Sequence, residues 1–152
     1  MKLLRLLAAA MACAAAFLSP AHAGSVSAAF TVQVTLYSAC QFNTGPGNVA
    51  LSYTAFQTTV ASSSTTMQVQ CTSELPYQVS LSGTDPNALS AQGTLNGLSY
   101  TVSMPAPPTG GHKGTGASVS HTVDVSVPSG QGGSCAGASC QASQSHTVYI
   151  VY

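Results

Sequence analysis

The chain has 152 residues, 45% of them hydrophobic and only 4% charged, and its three basic and three acidic residues balance formally. A typical soluble domain is about a quarter charged, and neutralising phosphates requires clustered Lys and Arg, so a basic nucleic-acid binder is excluded. The apolar content, free of like-charge blocks, argues against charge-driven disorder, and the length suits one domain.

Residues 1–23, MKLLRLLAAAMACAAAFLSPAHA, have the three parts of a secretory signal peptide. Lys2 and Arg5 supply the positive end, and the apolar stretch from Leu6 to Leu18 is 13 residues long. A bilayer core requires about 20. Ala21-His22-Ala23 offers small residues for the peptidase, which places the cut between Ala23 and Gly24. No later run reaches membrane length, so the mature chain is expected to be exported and without a membrane span. Removing 23 residues from 152 leaves 129, in which Lys113 stands against Glu74, Asp85 and Asp124 for a net charge of −2. Ser, Thr and Gln take the place of charge.

Four cysteines remain beyond the leader: Cys40, Cys71, Cys135 and Cys140. An even number in an oxidising compartment reads as two disulfides, and three connectivities are possible. The simplest pairs Cys40 with Cys71 and closes the short CAGASC loop between Cys135 and Cys140. The spacing lacks the paired CxxC knuckles of a zinc site.

Apolar residues recur with a period of two, which predicts strands throughout. In chain order the candidates are Phe30, Val32, Val34 and Leu36 alternating with Thr31, Gln33 and Thr35; then Val49, Leu51 and Tyr53; then Met67, Val69 and Cys71. Glu74-Leu75-Pro76 reads as a turn, after which Tyr77, Val79 and Leu81 run back as a hairpin. Leu98 to Met104, Val119 to Val127 and the closing HTVYIVY, residues 146–152, complete seven. Between them lie turn-rich stretches such as Gly83-Thr84-Asp85-Pro86-Asn87 and Pro128 to Gly137. The pattern predicts an all-β, immunoglobulin-like β-sandwich without the Trp of antibody domains.

Catalytic parts are scarce. A Ser–His–Asp relay through His121 and Asp124 fails because residues three apart on a strand face opposite sides, and no GxSxG elbow occurs. His112 and His146 lie in or beside loops without carboxylate or thiolate support for a metal. The glycine-rich TGGHKGTG and SGQGGSCAG lack the context of a phosphate loop. The sequence therefore predicts no enzyme, no cofactor and no metal site.

The ends of the mature chain are more informative. An alternating arm leads to Cys40, a VQC strand is followed by CTSELPYQVSLSG and LSYTVS, and then come GTGASVSHTVDVSVPSGQ and HTVYIVY. In this order the set resembles the spore coat protein U domain, whose members include subunits of archaic chaperone–usher pili, over nearly all of residues 26–152.

The resemblance implies a sandwich that lacks its last strand: six strands of its own (residues 40–152) plus an N-terminal donor arm (residues 24–39). It implies that Phe30, Val32, Val34 and Leu36 insert into the groove of another copy or a related subunit, with Cys40–Cys71 fixing the base of the arm. Val148, Ile150 and Tyr152 become the strand with which a periplasmic chaperone pairs before an outer-membrane usher passes the subunit to the cell surface. The alternative is a monomeric secreted sandwich that binds carbohydrate or a surface protein, its arm folded onto its own sheet.

Overall fold

The computed structural model describes residues 24–152; the predicted leader, residues 1–23, with Ala23 of the cleavage bond, lies outside them. The chain divides after Thr35 into two units. The described part of the first, residues 24–35, has no regular secondary structure.

The second unit, Leu36–Tyr152, contains β1 (Cys40–Thr44), β2 (Ala61–Cys71), β3 (Pro76–Ser80), β4 (Ser90–Leu95), β5 (Leu98–Ser103), β6 (His112–Lys113), β7 (Ser118–Val127) and β8 (Tyr149–Val151). The described residues contain no helix. Two antiparallel sheets result, one ordered β1-β2-β7-β5-β4 and the other β6-β3-β8. The class is all-β, as the periodicity predicts, and a two-sheet arrangement of this kind is immunoglobulin-like.

The long β2–β7 ladder sets the register, from Ala61 opposite Val127 to Gln70 opposite Ser118. One face then carries the buried Met67, Val69, Cys71, Val123 and Val127, joined by Tyr100 and Val102 of β5 and by Tyr77 and Val79 of β3. The outward positions are Ser62, Ser64, Thr66, Gln68 and Gln70 on β2 and Ser118, Ser120, Thr122, Asp124 and Ser126 on β7. Ser99, Thr101 and Ser103 on β5, opposite Thr94, Gln92 and Ser90 on β4, continue this face. Asp124 is its one charge. A slip of one residue would exchange core for hydroxyls, so the register is strongly specified.

Three expectations are corrected. The Glu74 turn does not make a hairpin: β2 pairs with β1 and β7, whereas β3 pairs with β6 and β8 in the other sheet. Alternation reports which face a side chain takes and is silent about its partner strand. The crossover is held by Glu74 N–H donating to Gly114 O and Gly114 N–H to Leu75 O, both at 2.8 Å. Residues 49–53 form no strand; Leu51 and Tyr53 still pack on the core, and Tyr53 is tied by its hydroxyl to Pro128 O at 3.0 Å and by Gln131 N–H at 2.9 Å. The own-strand count is eight among the described residues rather than six.

β4 escapes the sequence reading because SAQGTL is polar and contains Gly93. The turn after it, Asn96-Gly97, has positive φ at both residues (49° and 69°), as a tight hairpin turn requires. Gly93 lies opposite Tyr100, whose ring occupies the space a Cβ would need. Gly93→Ala should therefore destabilise the fold by about 1–3 kcal/mol through overpacking. Urea denaturation checks this, and an unchanged midpoint would show that Tyr100 moves aside freely.

Candidate assembly site

The arm is apolar on alternate residues and uncharged from residue 24 to residue 39. Phe30 is 86% exposed, Val32 70%, Val34 84% and Leu36 76%, with Thr31, Gln33 and Thr35 between them. Four large apolar side chains in so short a stretch bury nothing of their own, which is costly in water.

β8 presents the complementary deficit. It pairs with β3 through Gln78–Val151, Val79–Ile150 and Ser80–Tyr149, and its other edge has no partner strand among the described residues. Of the residues predicted for this strand, Val148 and Ile150 pack half-buried against the core, whereas Tyr152 is 62% exposed. The ladder covers only Tyr149–Val151, shorter than residues 146–152, and His146 is instead held in a loop by Tyr100 Oη, 2.8 Å from its Nε2. Three strands cannot cover five: Val119 and Val125, which alternate inward with Val123 and Val127, remain half-exposed. An open strand edge beside incompletely covered core is a ready template for another chain.

The far edge of the larger sheet is better protected. Cys40 lies opposite Cys71 in the β1–β2 ladder, and the two form a disulfide across a Cα separation of 4.1 Å. Outside it, Gln41 Nε2 donates to Asn43 Oδ1 and Asn43 Nδ2 to Gln70 Oε1, both at 2.9 Å, while Asn43 Nδ2 also donates to Ser118 Oγ. The register shifts between Phe42 and Thr44, and such a bulge blunts an edge. The second disulfide, Cys135–Cys140, closes its short loop beside the β4–β5 turn, where Asn96 Nδ2 donates to Cys140 O at 3.2 Å. Both pairings are the ones the spacing favoured.

Charge contributes little to the site. Lys113 and Glu74 approach to 3.6 Å, but both are largely exposed, and such pairs are worth little. His121 faces inward and Asp124 outward, so no relay forms.

The sequence reading missed a cluster of histidines. His112 on β6 and His121 on β7 meet at 4.7 Å between ring centroids, and Tyr77 Oη lies 3.0 Å from His121 Nε2. Burial holds both imidazoles below the ordinary value of 6.5, and the neighbouring His112 lowers His121 further. The unfolded chain then takes up protons near pH 6.5 that the folded chain refuses until lower pH. Stability is full above 6.5 and falls as pH drops through the window between that value and the folded ones. The urea midpoint in chelator-containing buffer should thus be lower at pH 5.5 than at pH 7.5, with the difference reduced in His112→Gln. A midpoint that rises on acidification contradicts this.

The spore coat protein U domain profile matches residues 26–152, nearly the whole chain. The chain belongs to the spore coat protein U domain family. No curated protein and no solved structure matches it. The family is a structural one of pilus- and coat-type subunits, associated with surface fimbriae and coats. Among the described residues no helix is long and apolar enough to cross a membrane.

Proposed function

We propose that this spore coat protein U domain is a structural subunit of a surface pilus or coat that polymerises by donor-strand exchange. One observation carries the reading: a single chain holds both an exposed, alternating apolar arm and a strand, β8, with an unpaired edge over half-covered core. The arm of one copy lies along β8 of the next, its backbone completing the ladder. Phe30, Val32, Val34 and Leu36 enter the groove while Thr31, Gln33 and Thr35 face out. Burying the four apolar side chains is worth about 6–12 kcal/mol gross before ordering costs.

The same exposed surfaces require an escort before assembly. A periplasmic chaperone pairing with Val148, Ile150 and Tyr152 supplies it, after cleavage of the leader between Ala23 and Gly24, and an outer-membrane usher exchanges it for the next arm. The product is extracellular, and its partners are other copies or related subunits.

The test compares the exported chain with a form lacking residues 24–36. Ladders resistant to SDS are expected from the former and none from the latter. A synthetic peptide of residues 24–39 should bind the truncated form and raise its melting temperature. A full-length chain that stays monomeric, with a truncated form that never accepts the peptide, would sink the proposal and favour the monomeric carbohydrate- or protein-binding sandwich.

A further inference from the structure

The small sheet and the large one meet at a cavity of about 190 Å³ to whose lining β8 contributes no residue. β6 brings His112 to its wall and β7 brings His121, while Met104, which directly follows β5, lines it as a buried thioether. These three donors come from separate segments of the chain and converge only in the fold.

We propose that His112, His121 and the Met104 sulfur form a binding site for copper(I). The spacing suits it: two imidazoles that share one tetrahedral ion at roughly 2.0 Å per bond have ring centroids about 5 Å apart, and this pair stands at 4.7 Å. The support is of the kind that ligating histidines receive. In the tautomer in which His121 Nε2–H donates to Tyr77 Oη, 3.0 Å away, Nδ1 is left free for an ion. The Tyr77 ring also stacks on His112 at 5.3 Å and restrains its orientation.

The donor set selects the ion. No carboxylate lines the cavity, and all four cysteines beyond the leader are in disulfides, so the ligands carry no charge. A divalent ion would bring two charges to a lining whose polar members, Gln78, Ser120 and Thr122, are neutral and whose other walls include Val79, Leu89 and proline, so neither charge is compensated. A monovalent soft ion brings one and prefers thioether with imidazole. The site binds copper without a redox step, and it does not depend on how the subunit polymerises.

The experiment uses the full exported chain with its disulfides intact, under anaerobic ascorbate, competing for copper(I) with the chromophoric chelator bicinchoninate. One equivalent should be withdrawn from the probe. His112→Ala and His121→Ala should weaken binding at least 100-fold, Met104→Leu about 10-fold, and Tyr77→Phe about 10-fold through ring orientation. His146→Ala, at a histidine held elsewhere by Tyr100, should leave affinity unchanged. Circular dichroism establishes that each variant is folded, and Met104→Leu conserves core volume in case the histidine variants are not. Failure to withdraw copper, or equal affinity in Met104→Leu and His112→Ala as in the parent, overturns the site. Equal affinity for zinc overturns the assignment to copper(I).

Discussion

Val32→Asp in the arm should abolish polymerisation while leaving the subunit as stable as its parent. Val32 is 70% exposed, so the substitution removes no packing from the monomer. In the assembled state the carboxylate would lie in an apolar groove with no partner, since the β8 strand offers no basic side chain. Burying an unpaired carboxylate costs several kcal/mol, and at 1.4 kcal/mol per factor of ten even ~4 kcal/mol lowers the association constant about a thousandfold. Gln33→Asp is the matched control: one residue along, its side chain faces solvent in the same strand, and assembly should persist. Chromatography and SDS-resistant ladders report assembly, and a urea titration reports subunit stability. If both variants polymerise, the arm is not the inserted strand. If only Gln33→Asp fails, the arm inserts in the opposite register.

The second large effect is expected from the Cys40–Cys71 bridge. The bond closes a separation of 31 residues between directly opposed ladder positions. In the chain-entropy description a loop of this size contributes roughly 3–4 kcal/mol by restricting the unfolded chain. Replacing both cysteines by Ala also removes sulfur from a position where Cys71 is only 3% exposed, which adds a packing loss. For a domain of this size the melting temperature should fall by roughly 10 °C or more. The Cys135–Cys140 pair closes a separation of only 5 in an exposed loop, so its double replacement should cost less, about 2 kcal/mol or below. Differential scanning calorimetry of the two double variants ranks them. A larger loss from the exposed loop would mean that its bond to Asn96 matters more than loop length.

The two-sheet class was legible because Val119, Val123 and Val127, with Met67, Val69 and Cys71, alternate cleanly with hydroxyl and amide residues. Periodicity specifies a face and therefore a core; it carries no information on pairing, which is why Tyr77 to Leu81 was assigned to the wrong partner. β4 was overlooked although Asn96-Gly97 announces its hairpin, because Ser90 to Leu95 has little apolar content to alternate. The arm was visible as a pattern, but a pattern shared by an ordinary first strand. In the structure Phe30 and Val34 are exposed and belong to no ladder. The histidine cluster left no local trace, since His112, His121 and Met104 become neighbours only when the two sheets close on each other.

The Lys113–Glu74 pair, negligible for stability, has a different significance for proteolysis. Beyond residue 23 the chain has one lysine and no arginine, so a trypsin-like protease finds a single bond to cut. That bond follows Lys113, in the two-residue strand β6, where the backbone is paired with Pro76 and Tyr77 and cannot extend into an active site without local opening. Replacing charge by Ser, Thr and Gln therefore leaves a surface layer that is wettable yet nearly indigestible to enzymes that read basic residues. Resistance to such enzymes thus follows from composition before any fold-wide stability is counted.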